Sequence, residues 1–230
     1  MLKVEDIHTY YGDSYILQGI SLEVKGGEVI GLLGRNGMGK TTLIRSIIGF
    51  TPPRRGRVMF KDTDVTHTRP FKIARLGISV VPQGRQIFPS LNVTENLTVG
   101  FSGKTDGWTL ERIYELFPPL RERLGHPGNR LSGGEQQMLA IARSLMTNPS
   151  FLLMDEPTEG LSPIFVQTVG QVIRKLQQSG ISILLVEQNL RFALTHVDYL
   201  HILSRGQIVH SSPPKDLDQN PEIKARHLGV

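Results

Sequence analysis

The hydrophobic pattern of the chain changes period several times, and each change predicts an element. Ile20, Leu22 and Val24 alternate with Ser21 and Glu23, the period of a half-buried strand. Lys25-Gly26-Gly27 turns from it into Val29-Ile30-Gly31-Leu32-Leu33, which is apolar throughout, as a strand buried on both faces of a parallel sheet should be. Upstream, Leu2, Val4 and Ile7 predict another strand ending at Tyr10-Tyr11-Gly12, and Val58 and Phe60 predict a further short one. The opening segment therefore reads as a small, mostly antiparallel sheet leaning on the 29–33 strand. Leu43, Ile44, Ile47 and Ile48 recur at helical spacing, and Gly49 offers a stop.

Further along, Ile78-Ser79-Val80-Val81 is a buried strand closed by Pro82-Gln83-Gly84. From Ser90 to about Arg130 the character changes. Thr94-Glu95-Asn96-Leu97 gives way to a Gly-rich turn around Gly103 and Gly107, and then Leu110, Ile113, Leu116 and Phe117 fall at helical spacing. This stretch predicts a helical insertion between two halves of an α/β core. Met138, Ile141, Ala142 and Leu145 form the apolar face of the next helix, and Phe151 to Met154 is again a buried strand. A helix around Val166 to Leu176, a strand from Ile181 to Val186, and a hairpin, 199–203 and 207–209 about Arg205-Gly206, complete the sheet. Past Ser211 the tail is polar and Pro-rich, with no visible chemistry. There is no internal repeat and no low-complexity segment.

The chemistry centres on Gly34-Arg35-Asn36-Gly37-Met38-Gly39-Lys40-Thr41, which fits G-x-x-x-x-G-K-[ST] between a strand and a helix. In such a loop the backbone N–H groups wrap nucleotide phosphates, glycines let the chain approach the anion, and the helix N-terminus adds its positive end. Lys40 would reach the β- and γ-phosphates and the Thr41 hydroxyl would sit on Mg²⁺, with Thr42 beside it. An ordinary Gly-rich turn would share the spacing, but not the flanking strand and helix.

Leu131-Ser132-Gly133-Gly134-Glu135 begins with a capping box, Ser132 followed three residues later by Glu135. Two glycines at the start of a helix cost about 1 kcal/mol each against Ala. They make sense if an anion approaches that N-terminus closely. The 151–154 strand ends in two carboxylates, Asp155 and Glu156. Beside a phosphate loop, Asp155 would hold Mg²⁺ through water and Glu156 would polarise the attacking water; a solvent-facing strand end is the bland alternative.

Composition narrows the rest. The 230 residues are 39% apolar and 20% charged, which is globular rather than disordered. The absence of cysteine excludes disulfides and thiolate metal sites. No run reaches the roughly 20 apolar residues of a membrane span, and the N-terminus does not read as a signal peptide. The net charge of +5 raises nucleic acid or an anionic membrane as partners. Yet its densest patch, Arg54, Arg55 and Arg57, sits beside Pro52-Pro53 and Gly56 in an expected turn, without a basic helix or interleaved aromatics. A solvated surface accounts for it, and the seven scattered histidines read as structural.

The phosphate loop, then Leu131-Ser132-Gly133-Gly134-Glu135, then Asp155-Glu156-Pro157-Thr158, in that order and spacing, resembles the ATP-binding cassette family over nearly the whole chain. The resemblance implies an α/β P-loop NTPase core with a small antiparallel β subdomain, residues 1–84 and 131–230, and a helical subdomain over about 85–130, all within one ATPase domain. It implies a head-to-tail dimer in which each of two ATP molecules lies between one subunit's 34–42 loop and the other's Ser132–Glu135 segment. It further implies that Tyr11 stacks on adenine, that Gln83 touches Mg²⁺ and the attacking water and senses a membrane partner, and that Asp155 and Glu156 are the metal-binding acid and the base. Two positions depart from the family pattern. Gln188 stands where His is usual; as its steric substitute among the catalytic residues it can donate to the γ-phosphate but cannot titrate, and Ser162 stands where Asp is usual.

Within the family, the 82–89, 159–163 and 186–189 stretches look like the smaller of two ATPase subunits in bacterial branched-chain amino acid importers. The ATPases of urea and short-chain amide importers share these stretches. The likeness implies an ATPase at the cytoplasmic face of the inner membrane. Its partners would be two permease subunits, a second related ATPase or a copy of itself, and indirectly a periplasmic solute-binding protein. A soluble cassette acting on nucleic acid or ribosomes would show tandem cassettes or a long coiled coil, and neither is present. A P-loop kinase or GTPase would share only the first motif, and an exporter would usually carry fused spans.

Overall fold

The computed structural model describes residues 1–101, 103 and 107–229, so the Gly-rich turn expected around Gly103 and Gly107 lies partly outside the described residues. The chain begins with two long strands, β1 (Leu2–Tyr11) and β2 (Ser14–Val24), then β3 (Val29–Leu33) and α1 (Lys40–Ile47). β4 (Arg55–Phe60), β5 (Thr63–Asp64), α2 (Pro70–Arg75) and β6 (Ile78–Val81) follow. Next come α3 (Val93–Thr98), α4 (Leu110–Leu116) and α5 (Pro118–Arg121), then the longer α6 (Gly133–Leu145). The second half runs β7 (Phe151–Asp155), α7 (Pro163–Gln178), β8 (Ser182–Glu187), α8 (Leu190–His196), β9 (Tyr199–Ser204) and β10 (Gln207–Ser212). Two short helices, α9 (Pro214–Asp218) and α10 (Pro221–Ile223), and a π-helical turn over Lys224–Leu228 end it.

Two sheets result. One is antiparallel in the order β2-β1-β4-β5, and the other is β10-β9-β3-β8-β7-β6, parallel except for β10. The continuous apolar runs explain the parallel strands, because successive side chains enter different cores. Val29 and Leu33, Leu152 and Met154, and Ile183 and Leu185 face the core shared with α6, α7 and the helical stretch. Ile30 and Leu32, Phe151 and Leu153, and Leu184 and Val186 face a second core, which buries α1 against the antiparallel sheet.

The helical stretch shares the first core through Val93, Leu97, Ile113, Phe117 and Leu120. Its entry loop is held by the buried Asn96. That side chain accepts from Phe88 N at 2.9 Å and donates to the Phe88, Leu91 and Asn92 carbonyls at 2.9–3.0 Å.

Several local expectations are corrected. The uneven spacing of Leu2, Val4 and Ile7 corresponds to a register shift in β1 between Val4 and Ile7, where Asp6 takes a left-handed φ of 45°. Arg55 and Arg57 belong to strand β4 rather than to a turn. Arg54 lies over the Tyr10 ring at 4.5 Å and donates to Gly12 O, while Arg55 pairs with Asp6 at 3.4 Å. The tail past Ser211 is not featureless: Leu217 is fully buried and Leu228 packs against the first core.

His201, in β9, is 9% exposed and shares a 2.7 Å hydrogen bond with Ser211 Oγ. Burial pushes its pKa down to about 4. A base whose folded pKa is depressed contributes stability above its unfolded pKa, and loses it as pH falls through the folded value. Acidification from pH 6.5 to 4 should therefore destabilise the fold by up to about 3 kcal/mol through this residue. Urea unfolding across that range should show the loss, and a His201→Leu chain should lack this component.

Candidate nucleotide site

The 34–39 loop leaves β3 and ends at Gly39, whose φ of 107° opens α1; a Cβ there would meet Leu17 Cδ2 at 2.9 Å. The loop cradles a cavity of about 260 Å³ lined by Ile16, Asn36, Gly37, Gly39, Lys40, Thr41, Thr42, Gln83 and Glu156. Lys40 is 5% exposed. Its Nζ donates to Gly34 O at 2.6 Å and Arg35 O at 3.0 Å, and pairs with Glu156 Oε1 at 3.0 Å. A buried ammonium with two carbonyls and one carboxylate is fully paired, as its burial requires.

The two acids that end β7 sit in different surroundings. Thr41 Oγ1 donates to Asp155 Oδ2 at 2.9 Å, whereas Asp155 Oδ1 is buried and has no hydrogen-bond partner among the described residues. Burial raises the Asp155 pKa, with the neighbouring Glu156 adding to it and the Thr41 bond opposing it. An orphaned, costly carboxylate oxygen beside a hydroxyl is the donor set that a cation would complete. Among the described residues there is no cluster of three or more acids, histidines or cysteines able to hold a metal.

Glu156 adopts φ 48°, uncommon for a non-glycine and costing about 1–3 kcal/mol. Its Oε2 accepts from Gln83 Nε2 at 3.2 Å and from Gln188 Nε2 at 2.6 Å. Gln83 Nε2 also donates to Glu159 at 3.0 Å, and Gln188 Nε2 to Asn36 Oδ1 at 2.5 Å.

Lys40, Thr41, Thr42, Gln83, Asp155, Glu156, Gln188 and Asn36 are thus brought together. Tyr11 is not among the cavity's lining residues; it is 42% exposed at the end of β1, while Tyr10 and Tyr15 stack on each other. Arg35 and Met38 line a neighbouring cavity of about 450 Å³ together with Gln188 and Leu228 of the tail.

Ser132 to Glu135 do not line the loop's cavity. Their capping box is formed: Ser132 Oγ accepts from Glu135 N at 3.3 Å, and Glu135 accepts from Ser132 N at 2.7 Å. The glycine at 134 has an internal reason that an approaching anion did not suggest. A Cβ at Gly134 would lie 2.2 Å from Phe165 Cγ, so the ring at the start of α7 rests on the first turn of α6. Gly134→Ala should gain about 1 kcal/mol of helix propensity but lose about 1–3 kcal/mol to overpacking. The expected net result is a thermal midpoint lower by a few degrees, about 2–4 °C per kcal/mol at this size, read by calorimetry.

One residue that the motifs do not flag is Glu187, at the end of the apolar β8 run. It is 2% exposed, and it accepts from the Thr158 hydroxyl at 2.7 Å and from the backbone N–H groups of Thr158, Gln188 and Asn189 at 3.1–3.2 Å. It ties the 156–158 turn to the Gln188 turn. Its only sequence signal is an acid closing an otherwise apolar strand.

Comparison with known proteins decides the family. The family model described as "ABC transporter" matches residues 17–159. The chain belongs to the ABC transporter family. As an ABC ATPase it binds nucleotide and hydrolyses ATP to drive transport. It is 40% identical over 232 residues to the high-affinity branched-chain amino acid transport ATP-binding protein BraG of Pseudomonas aeruginosa, covering 100% of both chains. It is 33% identical to the lipopolysaccharide export system ATP-binding protein LptB of Escherichia coli, covering 99% of this chain and 97% of that one. A crystal structure of the ADP conformation of an ATP-binding cassette from an ABC transporter aligns with TM-score 0.84 and 30% identity, over 97% of this chain and 96% of the other. The fold is therefore that of a P-loop NTPase cassette. Homologues of this ATPase dimerise and work with membrane permease subunits. No helix of the described residues is long and apolar enough to cross a membrane.

Proposed function

We propose that this ABC ATPase energises uptake of branched-chain amino acids as the ATP-hydrolysing subunit of a bacterial importer. The observation that carries the reading is the 40% identity to BraG over the full length of both chains, against 33% to LptB. The 85–130 segment serves as its helical arm, and the remainder of the chain as its catalytic core.

In this reading the 34–42 loop wraps the ATP phosphates, Lys40 neutralises the β- and γ-phosphates, and Tyr11 stacks on adenine. Thr41 Oγ1 and, through water, Asp155 would hold a magnesium ion, with Gln83 near, and the ion would offset phosphate charge; the partnerless Asp155 Oδ1 supports this assignment. Glu156 takes a proton from water as the water oxygen bonds to the γ-phosphorus. The bond to the β–γ bridging oxygen breaks, and ADP and phosphate leave. Ser132, Gly133, Gly134 and Glu135 stand outside the loop's own cavity, which supports their use on the nucleotide of a head-to-tail partner, either a second ATPase or a copy of this chain.

Beside the nucleotide cavity, a cavity of about 530 Å³ is lined by Phe50, Gln83, Gln86, Arg143 and Asp155, among others. Phe50 and Phe88 are 64% and 43% exposed, and Arg143 lies over the Phe88 ring at 4.9 Å. We assign this apolar, cationic surface to the permease subunits, so that Gln83 lines the permease-facing cavity and also donates to Glu156.

Purification of the tagged chain from gently solubilised native membranes tests the assignment. Two polytopic permeases and a second cassette, with a solute-binding protein that takes leucine, are expected. A urea- or amide-binding protein, a lipopolysaccharide-export complex, or ribosomal or DNA-repair factors without a permease would each overturn it.

A further inference from the structure

We propose that Asn36 is a positioning residue of the ATPase reaction, acting through Gln188 on Glu156. The inference rests on the reading of Glu156 as the base. Gln188 Nε2 lies 2.5 Å from Asn36 Oδ1 and 2.6 Å from Glu156 Oε2. An amide nitrogen carries two hydrogens and serves both acceptors at once. Turning the amide over would set its oxygen against two oxygens, so its partners fix its orientation.

The fold makes this bridge natural. β8 lies between β3 and β7 in the sheet, and Asn36, Glu156 and Gln188 follow the ends of those three strands. Buried Glu187 anchors the backbone of Gln188, and Asn36 holds its side chain. A neutral imidazole has one N–H and could donate to Asn36 or to Glu156 but not to both, so it would have to be charged, or to accept from Asn36, to join the same two groups. Gln188 is an uncharged two-proton donor that ties the phosphate loop to the base.

Asn36→Ala leaves Gln188 with one anchor and more rotamer freedom, so the carboxylate is held less well while the loop's N–H groups stay in place. Asn36 is exposed, so its truncation leaves the core intact, and the thermal midpoint of each variant checks it. The test is a double-mutant cycle on the complex purified with its membrane partners. Steady-state hydrolysis gives kcat and KM, and a fluorescent ATP analogue reports binding. Asn36→Ala should lower kcat about tenfold with nucleotide affinity held within about twofold. On a Gln188→Ala background the same substitution should change kcat by less than about twofold, because the bridge is already gone.

Effects that multiply across the cycle would overturn the proposal, since Asn36 would then act on its own. A fall in affinity matching the fall in kcat would overturn it too, assigning Asn36 to the phosphates directly. Normal hydrolysis by a Glu156→Gln chain would instead remove the reading of Glu156 on which it rests.

Discussion

Lys40→Ala is expected to abolish ATP hydrolysis, with a loss of at least about a thousandfold in kcat. Lys40 Nζ is surrounded by two loop carbonyls and the Glu156 carboxylate within 2.6–3.0 Å. Among the described residues the other side-chain donors to Glu156 are the neutral amides of Gln83 and Gln188, so Lys40 is its one cationic partner there. Removing one member of a buried pair costs about 3–5 kcal/mol, so the thermal midpoint should also fall. The two remaining amide donors keep Glu156 partly satisfied, and the chain should still fold. Lys40→Arg should not rescue: the ammonium is a compact point charge held between two carbonyls, and a planar guanidinium does not fit that grip. Phosphate release and fluorescent-nucleotide titration check both variants. Hydrolysis by Lys40→Ala at even a tenth of the normal rate would remove Lys40 from its assigned role.

The second large effect is expected from Glu156→Gln, which should retain ATP binding, lose hydrolysis by a similar factor, and accumulate as an ATP-bound dimer. Glutamine keeps the length of the side chain, and its amide oxygen can still accept from Gln83 and Gln188, but its amide nitrogen then faces Lys40 Nζ, so the nucleotide-free chain should also lose stability until phosphate pairs with Lys40. The substitution removes the group that takes the proton from water. The left-handed backbone at 156 is no harder for glutamine than for glutamate, so the turn should survive. Light scattering with ATP and with ADP reads the result: a dimer with ATP and a monomer with ADP. Normal turnover by Glu156→Gln would assign the base elsewhere.

Much of the nucleotide site is legible in the sequence because it is local. β3, the glycine loop and α1 are consecutive, and a strand ending in Asp155-Glu156 marks itself by an abrupt change from apolar to acidic. The two-sided burial of the parallel strands follows from unbroken apolar runs for the same reason. The features that stay hidden depend on pairing between distant segments. The bond from Gln188 to Asn36 spans 152 positions, and the contact between Gly134 and Phe165 depends on how α7 crosses α6. The bulge in β1 leaves a local trace, because the apolar positions Val4 and Ile7 are three apart where the register shifts. Arg54 and Arg55 read as a solvated turn because neither the Tyr10 ring nor Asp6 is near them in sequence. The tail reads as featureless because Leu217 and Leu228 are isolated apolar residues without a period, yet each finds the core.

Leucine uptake by vesicles containing the purified transporter, with ATP supplied on the side of this subunit, tests the coupling of hydrolysis to transport most directly. ATP-dependent accumulation is expected with the native chain and none with Glu156→Gln. Accumulation that proceeds equally with Glu156→Gln, or without ATP, would contradict the assignment.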